Sequence, residues 1–347
     1  MNHKTAIVLV HYEDYAEKHY AECYQSLLRQ NVAPDSFTIF IVNNGAETDY
    51  LKSTAGPMDI RFIDHQENVG WAGGNNAAIK IALEENYEYV VMLNMDTTLD
   101  DNWLTCLLEE AIRRPDTHIL QSKILLYNSR KINSAGNRTH FLGYGYCHGY
   151  GQEEAAVLQE IDFASGASML VKNDVFRKIG YFRENYFLYY DDMEFCWRAR
   201  LAGYHIGLAD KSICFHKYDS TNKLRQLFYL ERNRLLTVLT LEKPGTLVLI
   251  AGPLVLAQII SGFYFVLHGY GKEILRLFSF FIQPQAWKYI FKTRREICKL
   301  RVKKDGELVK NFAGKIVFAE IKSPVLNWFF NPILWVYWNV VKHTIFW

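Results

Sequence analysis

Tyr89-Val90-Val91-Met92-Leu93-Asn94-Met95-Asp96 is the stretch on which the fold turns. Apolar and aromatic residues run without a break and then give way to an amide and a carboxylate. A strand with one face in water alternates apolar and polar side chains. An unbroken run predicts a strand buried on both faces, which belongs to a mainly parallel sheet covered by helices on each side. A second stretch repeats the pattern, with Tyr186-Phe187-Leu188-Tyr189-Tyr190 leading into Asp191-Asp192-Met193-Glu194. Ionised carboxylates beside a core are costly unless a metal, a cation or catalysis uses them. Two such clusters in one α/β domain point to a single site that holds a metal-bound phosphate and a general base.

Outward from these segments, residues 1 to about 126 alternate β-rich runs with helical patterns. Strands are predicted over 6–10, 37–42, 60–63, 89–93 and 118–124, and helices over 16–30, 72–85 and 102–113. Such alternation builds a parallel sheet between helical layers. Ligands of these sheets sit at the strand C-terminal ends, where His11-Tyr12, Asn43-Asn44 and Asn94-Met95-Asp96 all fall. Residues 127–160, rich in Gly and Tyr, read as a long loop or irregular hairpin of the kind that forms functional lids. A strand over 162–171, helices over 173–179 and 191–202, strands near 205–209 and 212–215, and a helix from about 221 to 240 complete a first domain spanning 1–240.

Half of the 347 residues are hydrophobic and 22% are charged, which excludes global disorder. The net charge of +2 makes no case for nucleic acid as a partner. Cys23, Cys106, Cys147, Cys196, Cys214 and Cys298 show neither a CxxC pair nor zinc spacing and read as reduced thiols. The run Thr5-Ala6-Ile7-Val8-Leu9-Val10 is too short for a signal-peptide core, so it is read as a first strand, with the bulk of the chain on the cytoplasmic side.

Residues 241–347 differ in kind. Between 244 and 271 there is no Asp, Glu, Lys or Arg over twenty-eight residues. As one helix at about 1.5 Å per residue this segment reaches about 42 Å, against a hydrocarbon core of about 30 Å. Gly252-Pro253 would kink it, which equally admits two shorter helices lying in the interface. The bland alternative is a helical pair buried against the first domain. Two features favour a membrane-associating helical region. Residues 288–304 hold eight Lys/Arg against one Glu, and the chain ends in the aromatic series Trp328, Phe329, Phe330, Trp335, Tyr337, Trp338, Phe346 and Trp347.

Several motifs carry chemistry. Asn68-Val69-Gly70-Trp71-Ala72-Gly73-Gly74-Asn75-Asn76 follows a strand and opens a helix, where backbone amides favour a phosphate. It lacks the GxGxxG spacing of a dinucleotide site, and its bland reading is a Gly-rich helix cap. Asp96 suits a hard cation bridging two phosphates, since phosphate and water fill the other coordination positions, although it could also cap the next helix. Asp191 and Glu194 have capping-box spacing, whereas Asp192 points about 100° away and is left as the natural general base, with Asp191 as substitute. His216, just past a strand, is structural by default and a reasonable second metal ligand beside a one-carboxylate turn. Glu231-Arg232-Asn233-Arg234 reads as a solvated helix face, or as one offering an arginine to a diphosphate.

Taken in order, these motifs resemble the family 2 inverting glycosyltransferases of the GT-A fold, and among them the rhamnosyltransferase-like enzymes of bacterial cell-surface polysaccharide assembly. The likeness runs from residue 5 to about 235. It includes Ile41-Val42-Asn43-Asn44-Gly45, the 68–76 segment, the NxD turn at 94–96, Gly166-Ala167-Ser168-Met169-Leu170-Val171, the 180–198 segment, His216 and Arg232-Asn233.

The resemblance implies a nucleotide-sugar site in which Tyr12 flanks the base and Asn43 stands where Asp is usual. Asn68, Gly70, Asn75, Asn76 and Arg232 would serve the same donor. Asn94 replaces the first Asp of a DxD motif, leaving Asp96 and His216 to hold Mg2+ or Mn2+, and Asp192 keeps the identity of the base. It further implies dTDP-rhamnose or a UDP-hexose as donor, a saccharide or lipid-linked saccharide as acceptor, and a location at the cytoplasmic face of the membrane. A processive membrane synthase would carry several spans and a QxxRW motif, which Gln226-Leu-Phe-Tyr-Leu-Glu-Arg232 does not match. A non-catalytic GT-A scaffold rests on Asn43 and Asn94 alone.

Overall fold

A computed structural model describes residues 4–33, 36–53, 56, 58–153, 157–158, 160–218, 226–317 and 324–347. Contacts divide the chain into two compact units. The first is built from 1–137, 147–199 and 204–218, and the second from 138–146, 200–203 and 219–347. The helix expected to close the first domain therefore groups with the C-terminal helices, and the part of it over 221–225 lies outside the described residues.

The first unit opens with β1 (Thr5–His11), α1 (Tyr15–Leu28), β2 (Phe37–Asn44), α2 (Asp49–Ser53), β3 (Ile60–His65), α3 (Gly70–Glu84) and β4 (Tyr89–Leu93). It continues through β5 (Thr97–Leu99), α4 (Trp103–Arg113), β6 (Thr117–Leu126) and β7 (Ile132–Ser134). The short strands β8 (Asn137–Thr139) and β9 (Gly145–Cys147) pair with each other, and β10 (Ser168–Lys172), α5 (Asn173–Ile179), α6 (Asp191–Leu201) and β11 (His205–His216) come next.

The main sheet runs β3-β2-β1-β4-β10-β6-β11-β5, with β7 beside β6. β3, β2, β1 and β4 are parallel, while β10 enters antiparallel between β4 and β6, so the sheet is mixed. Every residue of β1, β2 and β4 is buried, as their unbroken apolar runs require. Tyr20, Cys23 and Leu27 of α1 and Trp103, Leu104 and Leu107 of α4 pack on one face around Ile7 and Leu9. On the other, α3 lies along β1 and β2, and Gly74 is tight against Val10. This layering puts the ends of β1, β2 and β4 on one rim of the sheet.

Three expectations change. The strand predicted over 162–171 begins only at Ser168, and the two strands near 205–215 are one, β11, with a register shift between Ala209 and Ile213. The Gly/Tyr-rich segment is not an exposed lid over its first half. Within the second unit Phe141 stacks on Trp338 at 4.6 Å, and Gly143, with φ +83°, lies against Val238 where a side chain has no room. The buried Leu142 offers its carbonyl to Arg234 Nη1 at 2.7 Å. The aromatic content, read as loop-forming, is there because this loop fills a helical core.

The second unit holds α7 (Leu227–Leu241), α8 (Pro244–Leu267), α9 (Gly271–Ile282), α10 (Pro284–Leu300), α11 (Asp305–Val309) and α12 (Asn331–Val341). The apolar run thus forms one long helix and turns at Gly269, with φ +91°. Pro253 sits inside α8 and cannot donate to the carbonyl of Leu249, four residues back. The hydroxyl of Tyr337 donates to that carbonyl instead, so the helix continues past its proline.

Candidate active site

The pairing of β5 with β11 creates the first half of the site. Thr97 lies opposite His216, and the Lys217 N–H donates to the Asp96 carbonyl at 2.8 Å. This register sets Asp96 Oδ1 3.3 Å from His216 Nε2, bringing together the two sequence-predicted metal ligands. Asp96 Oδ1 is buried without a hydrogen bond. Nδ1 of His216 lies 3.0 Å from Asn133 Oδ1. With that oxygen as acceptor, Nδ1 carries the proton, and in the neutral ring Nε2 turns a lone pair toward the carboxylate. Two electron-rich atoms so placed call for a positive charge, either a proton on the ring or a metal ion. Burial is the largest single influence and pushes the Asp96 carboxyl upward, but the neighbouring His216, the Tyr15 hydroxyl and His19 together hold it below its ordinary value.

One carboxylate oxygen and one imidazole nitrogen fit Mg2+ or, better, Mn2+. Among the described residues no group of three or more His, Cys, Asp or Glu forms a metal cage. A cation held by these two groups would have coordination positions open to phosphate oxygens and water.

Tyr12, 42% exposed, stacks on Tyr15 at 5.0 Å, and the Tyr15 hydroxyl lies 3.4 Å from the Asp96 amide. The loop carrying Tyr12 is anchored by buried His11, whose Nδ1 accepts the Ala16 N–H at 3.1 Å while Nε2 meets the Glu47 carbonyl at 3.2 Å. Burial lowers the pKa of His11, in keeping with a neutral structural ring.

The second half of the site is the start of α6. Phe187, Tyr189 and Tyr190 each hold φ at 65°, a backbone region costly for aromatic residues. The Phe187 carbonyl accepts the Trp71 N–H at 2.8 Å, and Gly70 (φ +76°) lies so close to it that a Cβ would clash. Asp192, partly exposed, accepts the Gly166 N–H on Oδ2 at 3.1 Å and the Met193 N–H on Oδ1 at 2.7 Å. A Cβ on Gly166 would come within 2.5 Å of the Trp71 ring, so glycine is required where the backbone amide approaches the carboxylate. The Trp71 indole N–H donates to Asn94 Oδ1 at 3.3 Å, and the Asn94 N–H to the Ala167 carbonyl at 3.1 Å. Trp71 and Gly166 thus tie the metal turn to Asp192.

The other two carboxylates of α6 do not form a capping box. Asp191 is buried, with Oδ1 accepting the Asp192 N–H at 3.2 Å and Oδ2 lacking a hydrogen bond. Burial, followed by the charge of Asp192, pushes its carboxyl well above the ordinary carboxylate range. Glu194 instead forms a buried two-point pair with Arg198, at 3.0 and 2.9 Å.

The asparagines expected at the donor are engaged within the protein. Asn43 closes a turn, with Oδ1 accepting the Ala46 N–H and Nδ2 donating to the Ala46 carbonyl, each at 2.9 Å, and Nδ2 also lies 3.2 Å from Asp64 Oδ1. Asn68 Oδ1 accepts the Gly70 N–H, Asn75 donates to the Trp71 carbonyl, and Asn76 clamps Phe182 through both its N–H and its carbonyl. Their side chains shape the Gly-rich turn from inside.

Arg232 lies in the second unit, over the rings of Phe228, Tyr229 and Phe280. Its helix segment is not a solvated face, because Glu231, Arg232, Asn233 and Arg234 are all buried and Arg234 pairs with Glu231 at 2.7 Å. Sequence reasoning missed Tyr15 and Asn133. Tyr15 lies three positions after Tyr12 at the start of a helix, a spacing that signals stacking, whereas nothing local marks Asn133.

Residues 5–180 match the profile described as glycosyl transferase family 2. The chain belongs to that family. It is 31% identical over 178 residues to the low-salt glycan biosynthesis hexosyltransferase Agl10 of Haloferax volcanii, covering 48% of this chain and 55% of the relative. It is 24% identical over 180 residues to the poly-beta-1,6-N-acetyl-D-glucosamine synthase of Staphylococcus epidermidis, covering 51% of this chain and 42% of the relative. The chain therefore spans about half the length of these relatives. The mannosyltransferase PcManGT of Pyrobaculum calidifontis, solved with GDP-Man and Mn2+, superposes with a TM-score of 0.52 at 11% identity, covering 85% of both chains. That likeness agrees with the layered mixed sheet, and the family 2 chain has the GT-A fold.

Proposed function

We propose that this family 2 member is an inverting, metal-dependent glycosyltransferase. It moves a sugar from a nucleotide-diphosphate donor, dTDP-rhamnose or a UDP-hexose, to a saccharide acceptor carried on a lipid. The observation that carries the reading is the close pair of Asp96 Oδ1 and His216 Nε2, 3.3 Å apart, with Oδ1 buried and without a hydrogen bond. These two residues would hold Mg2+ or Mn2+, which when bound neutralises the diphosphate leaving group. Tyr12 offers an exposed ring on which a base can stack.

Asp192 serves as the general base. Two backbone amides fix its carboxylate, and it accepts the proton of the acceptor hydroxyl as that oxygen attacks the anomeric carbon opposite the leaving diphosphate. A single displacement of this kind inverts the configuration. The Haloferax and Staphylococcus relatives, both named for building glycans, support a role in polysaccharide synthesis, and its place at the cytoplasmic face of a membrane rests on the sequence reading alone. The exposed apolar helix α8 of the second unit supports a membrane-carried acceptor.

Calorimetry with UDP and dTDP, each with and without Mn2+, tests the donor site. Binding should tighten with Mn2+, and His216→Ala should remove most of that gain. Asp192→Asn should bind nucleotide normally while transfer falls by roughly 10²–10⁴-fold. Near wild-type transfer by a folded Asp192→Asn protein would show that the base lies elsewhere.

A further inference from the structure

The second unit exposes an apolar surface that the transfer site does not use. On α8, Val248, Val255, Leu256, Ile259, Phe263 and Leu267 are each more than half exposed, at 76, 58, 54, 64, 67 and 67%. They recur mostly at three- and four-residue steps, so they form one stripe along the helix. The opposite face is fastened to its own unit from Thr246 to Gln258. The Thr246 hydroxyl donates to Asp305 at 2.6 Å, the Leu249 carbonyl accepts from Tyr337, Ile250 and Gly262 are buried, and Gln258 Oε1 accepts from Arg234 Nη2 at 2.6 Å.

These fastenings decide how such a helix can meet a bilayer. Its length, about 36 Å for 24 residues, suffices to cross a hydrocarbon core of about 30 Å. Crossing would, however, put Gln258 near the midplane, and with it the buried Arg234–Glu231 pair to which it is bonded. Charges at that depth are strongly disfavoured. Lying flat, the same helix immerses only its apolar stripe and leaves the ion pair on the protein side.

A second stripe, on α10, carries charge. Lys288, Lys292, Arg295 and Lys299 are spaced four, three and four apart, which aligns them along one line of the helix, and all four are exposed. Trp287, Phe291 and Val302 are exposed beside them, at 42, 58 and 69%. Cations flanked by aromatic and aliphatic groups match anionic headgroups above acyl chains. A second copy of this chain would instead bring the same line of positive charge against itself.

We infer that the second unit is a one-sided anchor for an anionic bilayer, with α8 lying in the interface rather than crossing it and α10 binding headgroups through Lys288, Lys292, Arg295 and Lys299. This rests on the proposed membrane-carried acceptor but adds the topology and the lipid charge.

The test uses the full-length protein and sealed vesicles of phosphatidylcholine, alone or with phosphatidylglycerol. Flotation should show strong binding only with phosphatidylglycerol, weakened by salt. Lys292→Glu with Arg295→Glu should lower partitioning by more than tenfold, from about fivefold per cation removed. Topology is read from single cysteines, Pro244→Cys or His268→Cys, after Cys106, Cys147 and Cys298 are replaced by serine. An impermeant maleimide added outside should label both positions in bound protein. Protection of one of them until the vesicles are lysed would overturn the interfacial arrangement while leaving membrane association intact. Equal binding to both vesicle types would overturn the lipid-charge assignment. No binding to either, with dimers formed through this face in sedimentation, would overturn both this inference and the membrane location on which it rests.

Discussion

Adjacent aspartates at the start of α6 have opposite environments. Asp192 is partly exposed and anchored by two backbone N–H donors, whereas Asp191 is buried with one oxygen lacking a hydrogen bond. Because the folded-state pKa of Asp191 is raised above the unfolded value of about 3.9, the native protein holds a proton that the unfolded chain releases. Stability tied to this group is therefore present at low pH and lost as pH climbs through the raised value. Thermal melts between about pH 5 and pH 9 should show the wild type losing Tm, and Asp191→Asn, which mimics the protonated acid, losing less of it. The difference should be a few degrees, at about 2–4 °C per kcal/mol for a domain of this size. Parallel curves would refute the raised carboxyl. Asp192, Asp96 and His216 were legible because each is a polar group at the end of an apolar run, where folding alone gives it no use. Asn133 was not, because its role exists only across 83 residues of chain.

At the scale of elements, the start of α6 shows how a sequence pattern can hold while its meaning changes. Asp191 and Glu194 have capping-box spacing, yet Glu194 pairs with Arg198, whose guanidinium also donates to the Tyr181 carbonyl at 2.9 Å. Glu194 and Arg198 are each only 1% exposed. Removing Arg198 leaves the buried Glu194 only its longer contact with Arg183, at 3.6 Å, so Arg198→Met should destabilise by about 3–5 kcal/mol in urea unfolding. Adding Glu194→Met should restore much of that loss, since replacing both charges removes the poorly paired one. No recovery in the double variant would mean that the backbone bonds of Arg198, not the pair, hold this turn. The α/β alternation itself could be read from apolar runs alone, because burial of both sheet faces is written residue by residue. The continuity of α8 through Pro253 could not, since the hydroxyl replacing the missing donor comes from Tyr337 on α12.

At the scale of the whole molecule, the two units carry separate chemistries, the proposed donor site in the first and an apolar and basic surface in the second. Hydrogen exchange should separate them. UDP with Mn2+ should slow exchange in the segments around Tyr12, Gly70, Asp96 and Asp192, because a ligand that binds only the native state suppresses local opening by about 2.7 kcal/mol at a hundred times its Kd. Anionic vesicles should instead slow exchange along α8 and α10 of the second unit. Arg232 has two readings. The resemblance gives it a diphosphate, while its guanidinium lies over Phe228, Tyr229 and Phe280. If nucleotide leaves exchange over residues 228–234 unchanged, Arg232 belongs to the packing of the helical unit. Strong protection there would instead support the role that the resemblance gives it.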